Sequence, residues 1–153
     1  MNRIFISTDQ TLLDFKWLSA ALMAEYWGWH LTEEKIRAFC PTSLCFGVYE
    51  RTEALGHTDE AGQWLEDIPP SIRQIGFARV ITDKVSFSYI GDVVIDKIRR
   101  REGLGTRLME AVVGHPNVKP TVMVLGTKDA WLFYERFLFG PPPAPMMQRD
   151  PPQ

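Results

Sequence analysis

The stretch of this chain richest in chemistry runs from Asp92 to Leu108, DVVIDKIRRREGLGTRL. A segment of strand character, DVVI, passes through a basic loop holding Gly103 and Gly105 and straight into residues at helical spacing: Leu104, Leu108, Ala111, Val112 and His115. Such a junction is an anion site. The first turn of a helix leaves its backbone N–H groups without partners, and the aligned peptide dipoles add partial positive charge there. Glycine at 103 and 105 lets those amides approach a bulky anion that a Cβ would hold off. Arg100 and Arg101 add fork-shaped donors suited to phosphate oxygens. The expected ligand therefore carries phosphate. Two common phosphate patterns do not fit. A P-loop needs GxxxxGK followed by Ser or Thr, and no such lysine stands at the helix start. A dinucleotide fingerprint puts three glycines in the first βα unit, whereas this loop comes late, after a run of antiparallel strands.

The elements that must position this loop can be read along the chain. Arg3 to Ser7 suits an opening strand, and Thr8 or Asp9 can cap the helix that follows. That helix carries two stripes, Leu13, Trp17, Ala21 and Ala24 beside Leu18, Leu22, Tyr26 and Trp29, with Gly28 ending it or marking a close approach. Thr32 caps a second, short helix with Glu33 and Glu34 in its first turn, and Pro41 stops it. Ser43–Glu50 alternates as a strand, and Ile72–Thr82 and Val85–Ile95 form an antiparallel hairpin across Asp83-Lys84. Residues 51–71 between them are polar and aperiodic, a long loop that is either a substrate lid or a surface insertion. Thr121–Gly126 is apolar on both faces, which predicts a central strand with a parallel neighbour. Asp129 can cap a last helix, Ala130–Phe137. The tail from Gly140, GPPPAPMMQRDPPQ, is proline-rich and offers at most an edge strand near Met146 and Met147. The reading is one α/β domain over residues 1–140, followed by a tail at 141–153.

Arg100-Arg101-Glu102-Gly103-Leu104-Gly105 resembles Q/R-x-x-G-x-G/A, the motif with which the GNAT acetyltransferase superfamily holds the coenzyme A pyrophosphate. Asp129 to Phe139, DAWLFYERFLF, resembles the late motif of that family, written close to N/D-A-x-x-L/F-Y-E-K/R-x-G-F, and LCFGVYE and IGFARVITD resemble its paired strands. The likeness runs from about Ile4 to Phe139, outside the 51–71 loop and the tail. It implies the acyl-CoA N-acyltransferase fold, α/β (α+β): a mixed, mostly antiparallel sheet with splayed central strands and flanking helices. It also implies acetyl-CoA as co-substrate, no metal, and acetyl transfer to a primary amine by direct attack in a ternary complex. The acceptor is then a small molecule or a peptide lysine. A catalytically silent acyl-CoA-binding or interaction module is the alternative.

The same resemblance distributes roles. Backbone groups of Val93, Val94 and Ile95 would bond the pantetheine arm as an added strand, and an amide of Val94 or Ile95 would polarise the thioester carbonyl. The amides from Arg101 to Thr106 (Gly103, Leu104 and Gly105 among them) would hold the pyrophosphate, with Arg100 and Arg101 nearby. Asp129 stands where the family often has a coenzyme-contacting asparagine, compatible with its reading as a cap. Tyr134 would be the general acid toward the leaving thiolate; the competing reading is a core tyrosine, since Ala130, Phe133, Tyr134 and Phe137 share a helical face. Counting by twos puts Ser88, Ile90, Asp92 and Val94 on one strand face, so Asp92 would be a carboxylate among apolar neighbours near the acetyl group. It is open there as general base, as anchor for a cationic substrate, or as a structural partner of Arg79. Three departures from the family pattern stand out: no proline near Lys97, Arg101 where a glycine is usual, and Leu138-Phe139 for the usual Gly-Phe, with Leu138 set to strain its turn.

Composition narrows the classes further. Seventeen basic against nineteen acidic residues give a charge of -2, which argues against an electrostatic nucleic-acid or membrane binder. The long apolar segment Leu12–Trp29 is broken by Asp14, Lys16 and Glu25, so neither a leader nor a membrane span is expected, and a cytoplasmic location follows as the default. Cys40 and Cys45 lack redox-pair spacing and read as reduced, structural thiols. His30, His57 and His115 are scattered, so no metal site is expected. The proline-rich tail and five tryptophans leave a protein-interaction domain as a third reading. The oligomeric state, a homodimer included, is not readable.

Overall fold

The computed structural model describes residues 3–52, 60–63 and 71–153, so most of the loop expected over 51–71 lies outside the described residues. The chain order is β1 (Arg3–Ser7), a 3-10 turn (Gln10–Leu12), α1 (Phe15–Met23), α2 (Glu33–Phe39), β2 (Leu44–Arg51), β3 (Ile72–Thr82), β4 (Phe87–Ile95), α3 (Leu104–Gly114), β5 (Val122–Val124) and α4 (Trp131–Glu135). The five strands form one sheet in sequence order. Neighbours from β1 to β4 are antiparallel, and β5 runs parallel to β4 after the α3 crossover. This is the mixed, mostly antiparallel α/β sheet that the sequence implies.

Both sheet faces are covered. On one, Leu104, Leu108, Met109 and Val112 of α3 pack with Phe46, Val48, Ile75, Val80 and Ile90. On the other, Leu18 and Leu22 of α1 and Ile36 of α2 pack with Cys40, Cys45, Phe77 and Val94. Each such fully buried aliphatic side chain contributes roughly 1.5–3 kcal/mol. The two cysteines are free and buried, as structural thiols should be.

Several boundaries differ from expectation, each for a local reason. α1 starts later than Thr8 or Asp9, because the Asp14 carboxylate accepts from Trp17 N–H at 3.0 Å, while Asp9 caps the 3-10 turn through Thr11 N–H at 2.9 Å. α1 also stops at Met23, well before Gly28, whose place is a close approach: a Cβ there would fall 1.8 Å from the Leu22 carbonyl oxygen. α2 begins as expected, with Thr32 Oγ1 accepting from Lys35 N–H at 3.2 Å. β5 is parallel to β4 but lies at the sheet edge instead of centrally, with Val122 67% exposed. No strand forms at Met146 and Met147. Prolines at 141, 142, 143 and 145 remove the N–H groups that pairing would need.

α4 is shorter than expected and is not capped by Asp129. Ala130 is its N-cap residue, and Thr127 Oγ1 accepts from the Ala130 N–H at 3.0 Å. Its C-terminal end is a Schellman-type closure, with Leu138 N–H donating to the Glu135 carbonyl at 3.0 Å and Phe139 N–H to that of Tyr134 at 3.4 Å. Leu138 occupies the left-handed position of that closure, at φ 67°. Its side chain is 96% exposed, so little packing would be lost on removing it. Leu138→Gly is therefore expected to stabilise the fold by roughly 0.5–1 kcal/mol, the relief of the left-handed penalty exceeding the added freedom of the unfolded glycine. Calorimetry should show Tm rising by about 2 °C; an unchanged or lower Tm would contradict this account of the turn. Among the described residues, no helix is long and apolar enough to cross a membrane.

Candidate functional site

β4 and β5 are in register only from Phe87 opposite Val122 to Tyr89 opposite Val124. β5 then ends, while β4 continues to Ile95 with that edge open. The divergence leaves a cavity of about 1020 Å³ between the second half of β4, the start of α3, the segment 125–130 and α4. Asp92, Val93, Val94, Ile95, Arg100, Arg101, Gly103, Leu104, Gly105, Thr106, Asp129 and Tyr134 all line it. The sequence-derived residues thus come together in one place.

A bulge shapes the β4 side. Arg79 pairs with Gly91 but Phe77 with Val94, so β4 carries one extra residue here, and Asp92 takes a left-handed φ of 53°. The count by twos fails at this point. Ile90, Val93 and Ile95 face the α3 core, whereas Val94 packs into the α1–α2 core. Asp92 is paired: its Oδ2 accepts from Arg79 Nε at 2.6 Å, with both side chains largely buried. Arg79 is itself fixed, lying 3.8 Å from the Phe39 ring centroid and donating to Ser43 Oγ at 3.4 Å. Of the three readings of Asp92, the Arg79 partnership is the one seen in the geometry.

The loop into α3 has the form its glycines suggest. Arg101 and Gly103 adopt φ of 68° and 76°, and no side chain caps the helix. Left-handed residues in such a turn direct successive N–H groups into one concavity, and here the uncapped first turn borders the cavity. A Cβ on Gly105 would sit 3.4 Å from the Phe133 ring, in van der Waals contact with this floor. The three consecutive arginines behave differently. Arg99 is a strut, bridging Glu50 at 2.8 Å and Glu102 at 2.9 Å. Arg100 donates through Nε to the Ile95 carbonyl at 3.1 Å and through Nη2 to Glu25 at 2.6 Å. The Arg101 side chain is exposed.

Tyr134 lies deep in the α4 side of the cavity, with Phe133 and Phe139 edge-on against its ring. Burial pushes its phenol above the ordinary value, and Tyr26 and Asp129 add to the shift, so the group is a proton carrier at neutral pH. Among the lining residues given no role from the sequence are four that bear charge or a phenol close to the site. Glu25 was read only as a charge interrupting an apolar segment and Tyr26 as a helix position, yet they sit in the α1–α2 linker facing the cavity. Lys128 Nζ rests 5.4 Å from the Tyr26 ring centroid, and Arg136 stacks on Phe133 while donating to Thr106 Oγ1 at 3.1 Å. Arg136 was visible inside YERF; for the others no local pattern exists.

No family model matches the chain. It is 31% identical over 134 residues to a protein of Gibberella zeae named as a candidate acetyltransferase, covering 84% of this chain and 74% of that one. A crystal structure from Xanthomonas campestris pv. campestris, described as a candidate acetyltransferase of the GNAT family, is 30% identical with a TM-score of 0.77 over 98% of this chain and 94% of that chain. The chain belongs to the GNAT family of acetyltransferases. The GNAT fold extends to more distant structures, such as the N-acetylglutamate synthase of Neisseria gonorrhoeae complexed with coenzyme A and N-acetyl-glutamate. That one has 11% identity and a TM-score of 0.60, over 88% of this chain and 28% of that one. Two departures from the GNAT motifs now have a geometric meaning. Arg101 and Leu138 stand where the pattern has glycine, and both hold the positive φ a glycine would adopt freely. Each of the two residues carries roughly 1–2 kcal/mol of conformational strain there.

Proposed function

We propose that this chain transfers the acetyl group of acetyl-CoA to a primary amine, by direct attack in a ternary complex. The observation that carries the reading is the uncapped α3 N-terminus opening into the same cavity as the unpaired edge of β4 and the Tyr134 phenol. Main-chain donors from Arg101 to Thr106 suit a pyrophosphate, and Arg101 and Arg136 supply further positive charge at that end. The open edge at Val93, Val94 and Ile95 suits a pantetheine amide chain, which can bond to it as another strand would. The Neisseria structure with coenzyme A on the same fold supports this choice of donor. Asp129 lies on the wall beside Tyr134 and is assigned to the donor side.

In the proposed step the amine nitrogen attacks the thioester carbonyl carbon. An N–C bond forms, the C–S bond breaks, and the thiolate takes a proton from Tyr134. An amide of Val94 or Ile95 polarises the carbonyl as charge develops on its oxygen. Asp92, held in place by Arg79, takes the amine's proton through Oδ1, the oxygen that Arg79 does not occupy. The test combines two measurements on the intact chain. Calorimetry in low-salt buffer is expected to show heat with coenzyme A, and acetyl-CoA with a broad panel of primary amines should release free thiol and yield acetylated amine by mass spectrometry. No heat from a verifiably folded chain removes the donor assignment. Binding with no turnover on any amine replaces the enzyme with a silent coenzyme-binding module.

A further inference from the structure

The α1–α2 linker, residues 24–32, contributes the cavity wall that faces the α3 loop, and Glu25 reaches across from it. Glu25 Oε1 accepts from Arg100 Nη2 at 2.6 Å, while Arg100 Nε donates to the Ile95 carbonyl at 3.1 Å. The guanidinium therefore lies over the β4 edge, tied to protein acceptors at both ends. These are the groups that the acetyl-CoA reading gives to the donor: the Ile95 main chain to pantetheine and Arg100 to phosphate. Donor binding and the Arg100–Glu25 pair compete for one guanidinium. The pair is partly exposed, with side-chain exposures of 45% for Arg100 and 21% for Glu25, and such pairs are weak. A pyrophosphate offers more charge and bidentate geometry, so the exchange runs toward the donor. It leaves Glu25 as an unpaired carboxylate in a cavity wall, a costly state unless a cation arrives.

We propose that Glu25 anchors the protonated amine of the acceptor, masked by Arg100 until the donor's phosphates draw that arginine away. The inference rests on the acetyl-CoA reading and adds an acceptor residue to it. The cation that replaces Arg100 on Glu25 is the substrate's own ammonium, which gives one proton to solvent to become the attacking amine before Asp92 takes the proton lost in the attack itself. Affinity for the acceptor is thereby coupled to the donor through one exchanged ion pair.

The sign of one effect separates this from a purely structural pair. If Glu25 only braced the loop, Glu25→Gln would loosen the pyrophosphate site and weaken coenzyme A binding. If it masks Arg100, the variant frees the arginine, and Kd for coenzyme A by calorimetry should fall about two- to fivefold against wild type and against Glu34→Gln, an exposed control on α2. With the amine from the panel that turns over fastest, the same variant should raise the amine KM at least tenfold, keep kcat within about threefold, and not raise the acetyl-CoA KM. Wild type failing to bind coenzyme A would sink the donor reading itself. Wild type binding while Glu25→Gln binds equally or more weakly overturns the masking alone, and tighter coenzyme binding with an unchanged amine KM overturns the anchor.

Discussion

Replacing Tyr134 with phenylalanine should lower kcat for acetyl transfer by about 10²–10³-fold while leaving the acetyl-CoA KM within about threefold. The substitution removes one oxygen. The ring stays packed edge-on between Phe133 and Phe139, so the fold and the α4 wall should persist, and thermal melts should be nearly superimposable. The loss falls on the step in which sulfur leaves, because the phenol has no comparable role toward the ground-state thioester. The pH dependence adds a second check. Burial, with Tyr26 and Asp129, raises the Tyr134 pKa above its ordinary value of 10. The acid form is then fully present through neutral and mildly alkaline pH, and wild-type kcat should lose its acid only above pH 10. The Tyr134→Phe variant should lack that alkaline limb. An unchanged kcat would return Tyr134 to the role of a core aromatic, as its shared helical face with Phe133 and Phe137 would otherwise suggest.

What the sequence made legible was the part encoded locally. The strand–loop–helix from Asp92 to Leu108 is contiguous, so the residue types and their order specify both the turn through Gly103 and the helix behind it. Thr32 was legible as a cap for the same reason, the cap and its target amide lying three residues apart. Three things were not. The face on which Asp92 projects depends on one inserted residue opposite Phe77–Arg79, and nothing in FSYIGDVVI announces a bulge to a count by twos. The start of α4 was decided between two neighbouring oxygens, those of Thr127 and Asp129, and Thr127 reaches the Ala130 amide. Glu25 meets Arg100 across 75 positions of chain, and its partner is fixed only when the α1–α2 linker and the β4–α3 loop are brought together at the cavity. Local grammar thus located the part of the cavity that we assign to the donor. The wall that we assign to the acceptor is assembled from separate elements and has no local signature in the sequence.

The strongest single lever on the donor half is Gly103. At φ 76° it sets the direction of the first α3 amides, and no atom lies within 4 Å of where its Cβ would be. A valine there would meet no neighbour; its penalty is conformational, about 1–3 kcal/mol for a β-branched residue in the left-handed region. Relaxing to negative φ would relieve that penalty by swinging the N–H groups of residues 103–105 out of the concavity. α3 itself should remain, since Leu104, Leu108, Met109 and Val112 bury it against the sheet independently of its cap. Gly103→Val is therefore expected to fold, with a modestly lower Tm. Losing two of the charge-assisted bonds, at about 1.5–3 kcal/mol each, raises Kd for coenzyme A by about 10²–10⁴-fold. Gly114→Ala, at the far end of α3 and also in open space, should leave that Kd unchanged. A Gly103→Val protein that still bound coenzyme A within threefold of wild type would show that the main-chain concavity is not what grips the phosphates. The arginine side chains would then have to do so alone.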